Sequence, residues 1–98
     1  MALIDDAKLA LRITSSAYDD EVDMLIDAAK ADLLLSGVAS AALEADEPDP
    51  LVKRAIILYC KAEFGLDNPD AERYMASFRS LETHLALSTE YAETEDVS

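Results

Sequence analysis

Apolar residues recur at three- and four-residue intervals in four stretches of the chain, the spacing expected for one buried face of a helix. Each stretch starts beside an acidic or amide side chain suited to a helix N-terminus and ends at turn-forming residues. This pattern predicts helices over 5–11, 19–35, 50–63 and 69–87, and no stretch predicts a strand. The fold class we expect is therefore all-α: a small four-helix bundle with a short first helix.

The same spacing predicts which side chains are buried. One face of each predicted helix is apolar, while the opposite face carries most of the charges. In chain order, the predicted buried faces are Leu3, Ala7 and Leu11; Val22, Leu25, Ile26, Ala29 and Leu33; Leu51, Ala55, Leu58, Tyr59 and Ala62; and Tyr74, Phe78, Leu81 and Leu85.

A short elbow joins the last two predicted helices. Gly65 can take the left-handed backbone conformation that ends a helix. Asn68 supplies an N-cap, and Pro69 fits the first turn of the helix that follows. We expect these three residues to form the elbow of an αα-hairpin.

Two segments fall outside the four predicted helices. Residues 38–43 are rich in alanine and could form one helical turn, whereas the prolines in 44–50 predict an exposed acidic loop. Residues 88–98 carry four acids and no basic residue, so we expect a flexible acidic tail. The predicted domain organisation is a helical domain over 1–87 followed by the tail over 88–98.

Composition narrows the class of protein. The 98 residues include 21 acids and eight lysines and arginines, for a net charge of −13, and such a surface should repel a nucleic-acid backbone. This acidity either keeps the protein soluble or lines a channel through which DNA slides without sticking. The run Ala55–Cys60 is too short to span a bilayer, and the acidic N-terminus is unlike a signal peptide, so we expect no membrane association and synthesis in the cytoplasm.

Candidate chemistry is sparse. Cys60 lies in an apolar helix and His84 near the surface of the last helix, and neither has the surroundings that a nucleophilic pair needs. The acids near Pro69 lack the glycine and the terminal glutamate of a calcium-binding loop. We therefore predict no enzyme activity, no metal site and no cofactor.

Basic side chains offer a different kind of site. Arg54 and Lys61 fall close to one helix face, and either they pair with acids of the same chain or they bind an acidic neighbouring subunit. Tyr91 lies in the acidic tail and either docks on a partner or is solvated. The predicted partner-binding set is Arg54, Lys61, Arg73, Arg79, Tyr91 and Glu93.

Seven short sequence blocks, taken in order along the chain, form a recognisable pattern. They are Asp6-Ala7-Lys8, Leu11-Arg12-Ile13, Asp19-Asp20-Glu21, Leu25-Ile26-Asp27-Ala28-Ala29, Phe64-Gly65, Asp67-Asn68-Pro69-Asp70-Ala71-Glu72 and Tyr74. Their order and spacing resemble those of the head–tail connector, or adaptor, proteins of long-tailed bacteriophages and prophages. The resemblance covers roughly residues 3–87.

The resemblance implies a structural virion protein. It implies a ring of this chain, twelve-fold, that lies beneath the portal, contacts a tail-side connector or stopper protein, and lets DNA pass. By position alone, residues 88–98 would reach the portal, and the loop 44–50 would face the lumen or the tail. The alanine-rich segment 38–45 departs from the family, whose members often have a longer, β-prone insertion there.

A competing class remains open at this point. An acidic helical inhibitor, either a DNA mimic or an antitoxin-like protein, would also be small and anionic. It needs carboxylates spaced like phosphates on one exposed face, whereas many acids here are placed to cap helices.

Overall fold

Helices make up nearly all of the structure. The computed structural model describes residues 3–44, 49–65 and 68–88. Within them, the elements in chain order are α1 (Leu3–Leu11), a 3₁₀ helix (Ser16–Tyr18), α2 (Asp19–Leu35), α3 (Ser40–Leu43), α4 (Pro50–Glu63) and α5 (Ala71–Leu87).

The all-α prediction is confirmed. No strand occurs in the part of the chain that the structure describes, and the four predicted helices are α1, α2, α4 and α5. Their bounds differ from the predicted ones by at most two residues, which is the usual uncertainty at helix ends. The alanine-rich segment forms the additional one-turn helix α3, so the bundle has five α-helices rather than four.

Helix α4 is the centre of the bundle, because it packs against α1, α2 and α5. Its residues Val52, Ala55, Ile56 and Cys60 are fully buried. The prediction that Leu51 belongs to the buried face is wrong: its side chain is 45% exposed. A helix with three neighbours is apolar over most of its circumference, so the spacing of its apolar residues does not define one stripe.

The other buried faces follow the predicted spacing. The side chains Val22, Ala29 and Leu33 of α2 are fully buried, and so is Phe78 of α5. The Phe78 ring makes an edge-to-face contact with Tyr59 of α4 at 5.2 Å between ring centroids, a preferred geometry for aromatic pairs. Members of the predicted set that are only partly buried at the edge of this core are Leu3, Leu11, Leu25, Tyr59, Tyr74 and Leu81.

The C-terminal ends of α1 and α2 both have a residue with left-handed backbone. Arg12 ends α1 with φ 61°, and the N–H of Ile13 donates to the carbonyl of Lys8 at 2.9 Å. Gly37 ends α2 with φ 108°, and the N–H of Val38 donates to the carbonyl of Leu33 at 3.0 Å. Such C-caps satisfy carbonyls at the helix end and redirect the chain, which lets α1 and α2 both lie against α4.

Candidate subunit interface

Gly65, Asn68 and Pro69, the residues predicted to form the elbow, lie between α4 and α5. The prediction that Asn68 is the N-cap is wrong, because α5 begins at Ala71 with Asp70 at the N-cap position. Gly65 has φ 90°, a conformation that glycine adopts with little strain. The Asn68 side chain donates to the carbonyl of Lys61 at the end of α4 and accepts from the N–H of Asp70 at 3.1 Å. Pro69 precedes α5 instead of opening it. The Asn68 side chain therefore links the end of α4 to the residue that precedes α5.

Two of the predicted partner-binding cations meet at this elbow. The Lys61 ammonium lies 5.2 Å from the centre of the Tyr74 ring, and the Arg73 guanidinium lies 5.1 Å from it. Arg73 also pairs with Asp70 at 3.5 Å, in an exposed position where such a pair contributes little stability. Lys61 and Arg73 therefore both lie close to the ring of Tyr74.

Arg79 lies instead on the seam between α2 and α5, and its contacts are intramolecular. Its guanidinium donates to Asp32 of α2 at 2.8 Å and to Glu82 of α5 at 2.9 Å. Burial and the hydrogen bond with Asp32 raise the pKa of Glu82. Burial opposes ionisation of Asp32 too, but hydrogen bonds with Glu82 and Arg79 hold its pKa below the ordinary value. The arrangement therefore favours protonation of Glu82 before Asp32 as the pH falls.

Arg54 lies on an open groove of about 460 Å³ between α4 and α5. It makes no hydrogen bond or ion pair with any residue that the structure describes, whereas the adjacent Lys53 pairs with Asp6 at 2.9 Å. No carboxylate of the described residues lines the groove. The residues that line it are Leu51, Arg54, Leu58, Ala76, Ser77, Ser80, Leu81 and His84.

A second hollow, of about 590 Å³, lies at the other end of α4 and has the opposite character. Its walls combine the acids Glu21 and Glu63 with the aromatic rings of Tyr18 and Phe64, which touch edge to face at 5.7 Å between centroids. The start and the end of α4 thus carry surfaces of unlike charge. Arg54 and Glu63 are nine positions apart, which is about 14 Å along the helix axis.

Large apolar side chains are also exposed outside both hollows. At the end of α2, Leu35 is 89% exposed, and at the end of α5, Leu87 is 79% exposed. Met24 and Leu9 are 71% and 73% exposed on α2 and α1. Single exposed apolar residues are common in proteins, but leucines at two helix ends offer apolar area to a partner.

Cys60 and His84 could be mistaken for a catalytic pair, but one is buried and the other is exposed. Cys60 is fully buried in α4, and burial raises the pKa of its thiol to about 12. His84 lies exposed on the groove, whose lining does not include Cys60. A protonated buried thiol is a poor nucleophile.

The described residues contain neither a metal-binding cluster nor a membrane-spanning helix. Within residues 3–44, 49–65 and 68–88, no group of three or more histidine, cysteine, aspartate or glutamate side chains is placed to hold a metal ion. Over the same residues, no helix combines the length and apolar character that crossing a bilayer requires.

Comparison with known protein families decides the class. A family model described as phage connector protein matches residues 3–92, which is nearly the whole chain. The chain belongs to the phage connector protein family. No curated protein and no solved structure matched it. The connector resemblance of the sequence blocks is therefore confirmed, and with it a general role at the phage head–tail junction.

Some predicted site residues of this connector lie outside the described residues. These are Tyr91 and Glu93 in the tail, together with 45–48 of the acidic loop. The sequence did not indicate the groove, because a groove depends on which residues of two helices face each other. It did not indicate the Asp32–Arg79–Glu82 seam either, since Asp32 is 47 positions from Arg79 and no local spacing links them.

Proposed function

We propose that this connector is a structural subunit that assembles as a twelve-membered ring against the portal. The ring would join the DNA-filled head to the tail and leave a channel for the genome. The observation that carries the proposal is the family match over residues 3–92. The features of the chain described below support its finer parts.

The unlike ends of α4 support a ring rather than a two-fold dimer. A contact between two different surfaces of identical subunits is heterologous, and it closes into a ring when the rotation per subunit divides the circle. The groove that contains Arg54 and the hollow that contains Glu21 and Glu63 are such unlike surfaces. The leucines exposed at the ends of α2 and α5 add apolar area for contacts with neighbours or with the portal.

The charge of the chain supports the channel. A net charge of −13 per subunit would be multiplied around the ring, and DNA phosphates would be repelled from an anionic wall. Passage of the genome requires such a wall, because bound phosphates would hold the DNA in place. DNA is therefore a passing cargo in this proposal, not a ligand.

We also propose that the chain acts without catalysing a reaction. The buried thiol of Cys60 and the exposed imidazole of His84 support a non-catalytic role, since they are not placed to act together. Rigid helical packing around α4 suits a wall component.

The proposal is tested by imaging the full-length protein with the cognate portal in negative stain. We expect a collar of added density on one end of the portal and closed rings at high protein concentration. An unrelated ring-shaped protein serves as the control. Portals that remain bare at saturating protein would contradict the proposal. Stoichiometric inhibition of a basic DNA-binding enzyme, together with bare portals, would favour an acidic inhibitor instead.

A further inference from the structure

The groove between α4 and α5 differs from the rest of this acidic protein. Its lining includes the cation Arg54, His84, Ser77 and Ser80, and no carboxylate from the part of the chain that the structure describes. In a chain with 21 acids and eight lysines and arginines, a groove without acids is where an anionic segment is least repelled.

The binding groups of the groove are also available. Arg54 has no hydrogen bond or ion pair with the described residues, and Leu51 beside it is 45% exposed. A charged group and an apolar side chain thus lie one helical turn apart on the lining of the groove. This pairing suits a segment that carries carboxylates together with an aromatic or aliphatic side chain.

Such a segment occurs at the C-terminal end of the chain. Residues 89–98 contain Glu90, Glu93, Glu95 and Asp96 with no basic residue, and Tyr91 lies among the acids. In an extended strand, alternate residues share one side and repeat about every 6.6 Å, which would align Tyr91 with Glu93 and Glu95. The groove follows α5 from Ala76 to His84, about 12 Å, so four or five extended residues would fill it.

We propose that the groove binds the acidic C-terminal segment, residues 89–98, of a second copy of this chain. Arg54 would pair with a tail carboxylate, and Tyr91 would lie against Leu51. The inference rests on the proposed ring and names a contact that joins one subunit to the next.

The geometry at the end of α5 favours a neighbour's tail over the chain's own. The groove runs backwards along α5 from His84, and α5 ends three residues later at Leu87. Ser88 then has an extended backbone, with φ −77° and ψ 133°. To enter its own groove the chain would have to reverse at once, but 89–98 contains no glycine, proline or asparagine to form a tight turn. A tail that arrives from another subunit needs no reversal.

The test measures proximity between chains by paramagnetic relaxation in NMR spectra. A full-length Ala92→Cys variant carries a nitroxide on the new cysteine. Cys60 is left unmodified because it is fully buried. This chain, without isotope label, is mixed with ¹⁵N-labelled wild-type chain that carries no nitroxide. We expect broadening of the Arg54, Ser80 and His84 amide signals in the wild-type chain, and less broadening at high salt.

The reverse sample distinguishes the two sources of the tail. Here the ¹⁵N-labelled, nitroxide-bearing chain is diluted into excess unlabelled wild-type chain, so that only contacts within one chain broaden its signals. Groove broadening in this sample alone would show that the chain binds its own tail and would overturn the proposal. Absence of groove broadening from both samples would overturn it too, as would broadening that requires added portal.

Charge reversals test whether Arg54 pairs with Glu93 of the tail. Arg54→Glu should weaken the association about five- to tenfold, and Arg54→Lys should retain most of it. Lys30→Glu on α2 makes the same change of charge away from the groove and serves as the matched control. Glu93→Lys should weaken the wild-type association without altering the groove, and should partly restore binding to the Arg54→Glu chain. Equal affinity of Arg54→Glu and wild type would overturn the proposal.

The groove contact and the proposed ring can fail independently, and the experiments distinguish the two failures. Arg54→Glu chains that still form complete collars on the portal would refute the groove contact and leave the connector ring standing. Bare portals with wild-type chain would refute the ring, whatever the groove binds.

Discussion

The two sides of α5 lie beside arginines with different contacts. On one side, Arg79 of α5 bonds both Asp32 of α2 and Glu82 and so joins two helices of one chain. On the other side, Arg54 of α4 lies on an open groove and has no partner among the described residues. In a protein with 21 acids, a cation without a partner among the described residues is the informative one. The Arg79 bonds contribute to the fold, and the groove is the candidate for assembly.

Truncation of a core residue and of a groove residue on α5 should show the largest difference. Phe78 is fully buried between α4 and α5, and Phe78→Ala should lower the free energy of unfolding by about 3–5 kcal/mol through lost burial and a residual cavity. Ser80→Ala in the groove should change it by less than about 0.5 kcal/mol. Urea denaturation followed by circular dichroism measures both. Similar losses for the two variants would mean that the groove is part of the folded core.

The elbow positions both sides of α5 at once. Asn68→Ala removes the bonds to the Lys61 carbonyl and the Asp70 N–H, and should lower the free energy of unfolding by about 1–2 kcal/mol. Asn68→Asp keeps the acceptor for Asp70 and loses the donor to Lys61, so it should fall between wild type and Asn68→Ala. Denaturant midpoints of the three proteins test this order. An Asn68→Asp variant as stable as wild type would assign the whole effect to the Asp70 bond.

The arginines themselves give a smaller but more direct contrast. Arg79→Ala should lower the free energy of unfolding by about 1 kcal/mol, a modest value because its side chain is 53% exposed and solvent screens the pairs. Arg54→Ala should leave the free energy of unfolding within about 0.5 kcal/mol of wild type. Thermal and urea unfolding of both variants provide the measurement. A loss for Arg54→Ala equal to that for Arg79→Ala would remove the distinction between the two sides.

The pH dependence of stability should belong to the α2–α5 seam. The raised pKa of Glu82 means that its protonated form stabilises the fold at low pH, and that this contribution is lost as the pH rises through the raised value. The lowered pKa of Asp32 works in the opposite sense: its contribution is present at neutral pH and is lost as the pH falls through the lowered value. The seam should therefore be most stable at mildly acidic pH.

A Glu82→Gln variant tests that assignment. Glutamine resembles the protonated acid, so the variant should be more stable than wild type at neutral pH, and this advantage should shrink as the pH falls through the raised pKa of Glu82. Glu72→Gln, an exposed glutamate on the same helix, is the matched control for a general change of charge. Parallel pH profiles for wild type and Glu82→Gln would show that Glu82 is not the responsible group.

The sequence predicted more about helix ends and the core than about the seam and the groove. Helix ends follow from local chemistry, so Gly65, Asn68 and the acids that begin α2 indicated where helices end and start. Burial of Phe78 and Leu33 followed from helical spacing. Leu51 was misassigned because α4 has neighbours on three sides, and spacing within one helix does not reveal how many helices surround it.

The candidate site depends on contacts between helices, and the spacing of residues along the sequence does not predict these contacts. Arg54 and Arg79 both belonged to the predicted partner-binding set, and nothing local distinguished them. Only the folded arrangement brings Asp32 of α2 to Arg79 of α5, and only the packing of α4 against α5 places Arg54 on a groove that no described carboxylate lines. The position of Arg73 and Lys61 around Tyr74 likewise depends on the elbow.

The most direct test of the account counts connector copies on the cognate portal for wild type, Arg54→Glu and Lys30→Glu, by native mass spectrometry or averaged electron micrographs. The account predicts complete collars for wild type and Lys30→Glu, and incomplete or absent collars for Arg54→Glu, which should remain as stable as wild type. Complete collars for all three proteins would contradict the assignment of the groove to assembly.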